Sequence, residues 1–320
     1  MKHEIIYINN GIGDMISLIP SIKQLKNGKY LFITKSDFNR KIILAFLNKN
    51  VEAKFLILDK KTFYKDIIKL SKLVLHFKKY NLYLPMASYG RLKYLLCILF
   101  PGKVFTSNNF TGYFVNHIST NPNSHLTEQL FSFFSSTGLV ESKVFEHSVT
   151  KNIKKENHVY IGLSCGIKEK HKVPSPKWVN KLLKELVNID NNVRFQLCGH
   201  DSEKEYFDTI LRDIDTKNYI LNFNQDFLDI VKKISTCSFA IVGTNGHGHL
   251  ASITDTKIIC LSGVANAKIS GPYSSNMTIL EPNIKCLHCY DRGLILGCGI
   301  RSCIDLINIE SVIDLIISPN

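Results

Sequence analysis

The sequence predicts an α/β protein made of two doubly wound halves of similar size, and three observations carry that prediction. Short apolar runs alternate with helix-period segments through the first hundred residues or so. The alternation lapses between Val140 and Asn157 in a polar, lysine-rich stretch, "VESKVFEHSVTKNIKKEN", and then begins again. Strands alternating with helices are the mark of βα units on a parallel sheet. The length of 320 residues agrees, because single hydrophobic cores stop growing near roughly 250–300 residues. The expected division is an N-terminal domain over 1–150, a C-terminal domain over 157–305 and a closing helix over 306–320.

In chain order, Glu4 to Ile8 reads as a strand, Met15 to Lys26 as a helix, Tyr30 to Thr34 as a strand, Asn39 to Leu47 as a helix and Lys54 to Leu58 as a strand. Phe63 to Phe77, Asn81 to Pro85 and Arg91 to Phe100 follow as helix, strand and helix. After the polar stretch come strands at Val159 to Ser164, Val193 to Cys198, Phe239 to Val242 and Lys257 to Ser262. Helices are expected at Pro176 to Val187, Lys204 to Arg212, Phe227 to Ile234 and His247 to Ile253. Ligands of open parallel sheets sit beyond the carboxyl ends of strands, so the strand-to-helix turns should hold the chemistry.

Composition narrows the class. An apolar fraction of 45% with 21% charged residues excludes a disordered or collagen-like chain. The longest apolar run, Tyr94 to Phe100, is too short to span a bilayer, and Glu4 with Asn9 and Asn10 interrupts any signal-peptide core. A cytoplasmic protein is therefore expected. The net charge of +13 favours anionic partners: nucleic acid, a phospholipid surface or a phosphorylated substrate. Of nine cysteines, Cys97, Cys165, Cys198, Cys237 and Cys260 stand singly in apolar or strand-like contexts, where a reduced thiol behaves as a small core residue.

Four segments can carry chemistry. In "YINNGIGDMISLIPSI", Gly11 and Gly13 allow a tight turn after the first strand, and Asp14 stands at the next helix start. There it either caps backbone N–H groups or serves as a general base. The spacing does not complete a G-x-G-x-x-G dinucleotide motif. In "GLSCGIKEKHKVPSPKWVNKLL", a strand ends at Ser164 and Ser175-Pro176 opens a helix with Lys177 and Trp178 in its first turn. The basic loop between them is either a solvated face or a phosphate site, with Lys177 as its direct contact. In "FAIVGTNGHGHLASITDTKIICLSG", a strand runs into Thr244, Asn245 and Gly246, and backbone N–H groups at such a glycine-containing helix start suit a pyrophosphate. His247 and His249 point to different sides of a helix, which excludes a shared metal. His249 either braces the loop or contacts substrate. Last, Cys286, Cys289, Cys298 and Cys303 are spaced C-x2-C-x8-C-x4-C; they hold a structural zinc or iron tetrahedrally or remain unmetallated thiols.

Taken in order, these segments resemble the heptosyltransferase family of glycosyltransferases, family 9. "GIGDMISLIPSIKQLK" is similar to its opening G-D motif, and "SPKWVNKLL" to its Lys-Trp helix start. "FQLCGHDSEKEY" is similar to its glycine-ended strand and acidic helix, and "DFLDIVKKISTCSFAIVGTNGHGHLA" to the approach to its D-[ST]-G-x-x-H-L-A site. The Cys cluster with "IESVIDLI" is similar to its C-terminal end.

The resemblance implies the GT-B architecture, two facing Rossmann-like domains with a cleft between them, acceptor bound by the first and donor by the second. It implies heptosyl transfer from a nucleotide sugar such as ADP-heptose to a hydroxyl of an anionic cell-envelope saccharide, the lipopolysaccharide inner core, with contact at the inner membrane surface. It also implies Asp14 as the base, with Gly13, Ser164, Lys177, Trp178, Thr244, Asn245, Gly246 and His249 about the donor and no catalytic metal. Thr244 stands where the family has an acidic contact to the donor sugar. A protein acceptor such as an autotransporter adhesin is the alternative within the class. A basic, metal-containing nucleic-acid-binding protein is the alternative outside it, disfavoured because the basic residues are spread along the chain.

Overall fold

The computed structural model of the protein describes residues 3–8, 11–34, 36–58, 80–85, 102–107, 115–140, 153, 156–164, 171–289 and 303–318. The expected helices at Phe63 to Phe77 and Arg91 to Phe100 lie outside these residues. The chain forms two compact units, Met1–Glu146 and His147–Asn320.

The first unit holds strands β1 (His3–Ile8), β2 (Gly28–Thr34), β3 (Val51–Ile57), β4 (Asn81–Leu84), β5 (Lys103–Thr106) and β6 (Val115–His117). They form one sheet in the order β3-β2-β1-β4-β5-β6, every pair parallel, with Ile6 opposite both Phe32 and Tyr83. β1 is buried on both faces, as a central parallel strand must be: Ile5, Ile6, Tyr7 and Ile8 are all in the core. One face packs Ile5 and Tyr7 with Ile33, Leu58, Leu82, Leu84 and Val104.

The single helix expected from Met15 to Lys26 is two, α1 (Ile12–Ser17) and α2 (Ile19–Lys23), broken at Leu18. Pro20 supplies the reason. It has no N–H to continue the ladder and its ring would collide with the Ile16 carbonyl, so it opens a new helix instead. In α3 (Asp37–Phe46) the Asn39 N–H donates to the Ser36 hydroxyl at 3.3 Å, a side-chain cap. A further helix, α4 (Leu126–Ser136), ends at Gly138, whose φ of +75° lets Leu139 N–H return to the Phe134 carbonyl at 3.1 Å. Lys26 N–H then donates to the Leu139 carbonyl at 2.9 Å, fastening this turn to the end of α2.

The second unit repeats the plan with β7 (Glu156–Gly162), β8 (Arg194–Gly199), β9 (Tyr219–Phe223), β10 (Cys237–Gly243), β11 (Lys257–Leu261) and β12 (Met277–Leu280). Their order is β12-β11-β10-β7-β8-β9, again all parallel. The helices are α5 (Pro176–Ile189), α6 (Lys204–Ile210), α7 (Phe227–Thr236), α8 (Gly246–Ser252), α9 (Ala267–Ser270) and α10 (Ile309–Ile317). Side chains alternate along a strand, and β7 shows what that divides. Val159, Ile161 and Leu163 pack in one cluster with Trp178, Val179, Leu182 and Leu183 of α5 and with Val312 and Ile313 of α10. Tyr160, Gly162 and Ser164 therefore occupy the opposite face.

Candidate functional site

In each sheet the strand order reverses beside the strand that opens the unit, between β1 and β4 and between β7 and β10. Such reversals open a crevice at the carboxyl ends of the strands. Beyond β1 lie Gly11, Gly13 and Asp14; beyond β7 lies Ser164; beyond β10 lie Thr244, Asn245 and Gly246.

Asp14 is half-buried in the first turn of α1, where the partial positive charge of the helix start favours a carboxylate. It is not the cap: Gly11 occupies that position, with no side-chain hydrogen bond. Gly13, beside it, is half-buried.

In the second unit Asn245 is 3% exposed and its whole amide is engaged. Its Nδ2 donates to the Gly162 carbonyl at 2.8 Å and to the Ser164 carbonyl at 2.9 Å, while Oδ1 accepts the Gly248 N–H at 2.9 Å. Asn245 is thus a brace that ties the end of β7 to the start of α8, and its side chain has no donor left for a ligand. Thr244 is 5% exposed, and its Oγ1 has no hydrogen-bond partner among the described residues. Gly246 is half-buried at the first position of α8. His249 is buried and its N–H donates to the Asn245 carbonyl at 3.2 Å.

His247, set aside in the sequence because it could not share a metal with His249, turns out to be central. A Cβ on Gly162 would lie 2.7 Å from the His247 Cβ, so the glycine makes room for the histidine. The Tyr160 hydroxyl is 2.6 Å from His247 Nδ1, and the Ser164 hydroxyl is 3.5 Å from Nε2. Burial lowers the His247 pKa to about 4, leaving the ring neutral near pH 7, and raises the Tyr160 phenol well above its usual value. The legible sign was a glycine inside an otherwise apolar strand, a mark of close approach by another group.

The basic loop is corrected in one respect. Trp178 is 8% exposed, packs in the core of the second unit and donates its indole N–H to the Ile307 carbonyl at 3.1 Å. It is a core residue, not a ligand contact. Lys177 is exposed on the first turn of α5. That helix start already has an internal anion: the Asp305 carboxylate accepts the Ser175 N–H at 2.6 Å, and the Ser175 hydroxyl accepts the Trp178 N–H at 3.3 Å. The backbone of Lys172 runs past the end of β10. A Cβ on Gly243, at the end of β10, would lie 2.7 Å from the Lys172 carbonyl oxygen.

Of the cysteine cluster, Cys289 and Cys303 are buried and belong to the core of the second unit, and Cys286 is half-buried. Cys298 lies outside the described residues. Among the described residues no three His, Cys, Asp or Glu side chains converge to hold an ion.

The family model described as "Glycosyltransferase family 9 (heptosyltransferase)" matches residues 126–299, more than half of the chain. A glycosyl transferase family 9 protein from Veillonella parvula is 13% identical, with a TM-score of 0.73 over 98% of this chain and 95% of that one. E. coli heptosyltransferase WaaC with ADP is 12% identical, with a TM-score of 0.64 over 92% and 99%. E. coli ADP-heptose LPS heptosyltransferase II is also 12% identical, with a TM-score of 0.63 over 88% and 90%. Comparison with curated protein sequences gives no significant match. Two parallel six-stranded sheets of this order are the GT-B fold, and with the family match they show that the chain is a glycosyltransferase belonging to glycosyltransferase family 9.

Proposed function

We propose that this glycosyltransferase moves a heptose from a nucleoside diphosphate sugar, ADP-heptose, to a hydroxyl of an anionic cell-envelope saccharide such as the lipopolysaccharide inner core. The observation that carries the donor half is the strand-order reversal between β7 and β10, with Ser164 following the one strand and Thr244 and Gly246, at the start of α8, following the other. The ADP bound by one relative and the ADP-heptose named for another support the same chemistry. The net charge of +13 suits both a diphosphate leaving group and an acidic acceptor.

Asp14 is the proposed base. It takes the proton of the acceptor hydroxyl as that oxygen attacks the anomeric carbon, and the bond from that carbon to the diphosphate oxygen breaks. The electron pair leaves with the diphosphate, whose charge the second unit stabilises.

Titration with ADP, GDP and UDP followed by a transfer assay with the matching sugars tests the reading. ADP should bind tightest. Asp14→Asn should leave the Kd for ADP unchanged while lowering turnover by about 100-fold, the scale of a lost general base. Wild-type turnover in that variant would remove Asp14 from the mechanism, and failure to bind any of the three nucleotides would remove the donor assignment. Heptose appearing on a protein rather than on a saccharide would redirect the acceptor half alone.

A further inference from the structure

Tyr160 and Gly162 of β7 and Ser164, two residues past its end, lie on one side of the chain, and the middle one has no side chain. The imidazole of His247, from the first turn of α8, fills that gap and bridges its neighbours. Nδ1 lies 2.6 Å from the Tyr160 hydroxyl on one side and Nε2 lies 3.5 Å from the Ser164 hydroxyl on the other. A Cβ at Gly162 would meet His247 Cβ at 2.7 Å, Tyr160 Cε1 at 3.0 Å and Val242 Cγ1 at 3.1 Å. Any larger residue would therefore push the ring out of the row. Asn245 adds rigidity by gripping the carbonyls of Gly162 and Ser164 together.

The partners set the direction of each hydrogen bond. Tyr160 is fully buried and its phenol stays protonated, so it must donate. Among the described residues its hydrogen-bond partners are the His247 ring nitrogen and the Cys198 thiol, and imidazole nitrogen is much the better acceptor. Tyr160 O–H therefore points to Nδ1, and the neutral ring carries its proton on Nε2, facing Ser164. Nε2–H occupies a lone pair of the Ser164 oxygen, and the hydroxyl proton is then directed elsewhere. Because Nε2–H already fills that direction, the hydroxyl proton cannot turn back to the ring and is free for an acceptor on the other side.

Building on the reading of this crevice as the nucleotide-sugar site, we infer that His247, held by Tyr160, is a positioning residue that fixes the Ser164 hydroxyl as a hydrogen-bond donor to a phosphate oxygen of the bound nucleotide. A phosphate oxygen accepts only, so it is matched to a hydroxyl whose proton has been committed in advance. The device sits on sheet parity and a missing side chain, and it needs no charge on the histidine.

The test uses the full chain and calorimetric titration with ADP, GDP and UDP, carried forward with whichever binds tightest and with its parent nucleoside. His247→Leu should weaken the diphosphate about tenfold, the scale of one hydrogen bond, and leave the nucleoside unchanged. His247→Gln, whose amide nitrogen replaces Nε2, should stay within about threefold of wild type. Tyr160→Phe should weaken the diphosphate by about threefold, since the ring is then free to take either tautomer. In a Ser164→Ala background His247→Leu should bring no further loss, because its effect passes through that hydroxyl.

Equal loss of nucleoside and diphosphate would make His247 a packing residue and overturn the inference. So would an undiminished effect in the Ser164→Ala background, or an unchanged diphosphate Kd in His247→Leu. If His247→Leu fails to fold by melting and circular dichroism, the Gln and Phe variants decide the question by the same measurements. Wild-type protein that binds no nucleoside diphosphate would instead remove the donor reading itself, and the inference with it.

Discussion

His247 has a consequence for stability that is separate from binding. An unfolded histidine titrates near 6.5, whereas burial holds this one down to about 4. As pH falls through that window the unfolded chain takes up a proton that the folded chain refuses, so the folded state loses stability. The contribution is whole above pH 6.5, declines from there to pH 4 and reaches a loss on the order of 3 kcal/mol below it. The urea midpoint of His247→Gln should accordingly depend less on pH than that of wild type between pH 6.5 and 4. Parallel curves for the two proteins would show that the ring is solvated. Thr244 gives the complementary case, a buried hydroxyl with no partner among the described residues. Thr244→Val keeps the shape and removes the unmet polar atom, so stability should hold or rise by up to about 1 kcal/mol. If Thr244 faces the donor sugar, as the proposed donor reading has it, transfer from the nucleotide sugar should fall while ADP affinity is kept. A lowered melting temperature would mean that the hydroxyl has a partner.

At the level of elements, the start of α5 shows how far local sequence reasoning reaches. Ser175 followed by Pro176 gave the helix start to the residue, since capping depends on neighbours in sequence. What surrounds the helix start depends on residues far along the chain, Asp305 and Ile307, and a basic loop with an adjacent tryptophan carries no trace of them. The central strands were legible for the same reason that they are central: apolar residues on both faces leave a continuous run. β9 and β12 were not, because they are sheet edges with only partly buried side chains, and β5 and β6 are too short to show a period. The crevice between β7 and β10 was half legible. Ser164, Thr244 and Gly246 follow strands in the sequence, but the pairing of His247 with Tyr160 requires β7 and β10 to be neighbours. Trp178→Phe tests the reassignment of α5. It leaves the buried Ile307 carbonyl without its donor and should lower stability by about 1–3 kcal/mol with no change in nucleotide Kd. Loss of nucleotide binding at unchanged stability would return Trp178 to the donor site.

For the whole molecule, the two units each have a sheet and a core of their own, so their local unfolding free energies need not be equal. A ligand that binds one folded unit and not its unfolded form stabilises that unit by mass action, by about 2.7 kcal/mol at a concentration 100 times the Kd. If the donor is held by the crevice between β7 and β10, saturating ADP should slow amide exchange in peptides over 156–164 and 237–252. It should also raise the protection of the β7–β8–β10 core, whose exchange requires the second unit to open. Exchange in β1, β2 and β3 should stay as it is without ligand, since none of those strands gains a contact from the donor alone. An anionic acceptor saccharide should reverse the pattern and protect the peptides that follow β1, around Gly11 to Asp14. Hydrogen-exchange mass spectrometry of the full chain, run with ADP and with acceptor separately, reads both halves. Equal protection of β1–β3 and β7–β10 by ADP would place donor contacts in the first unit as well, and the division of substrates between the two units would have to be abandoned.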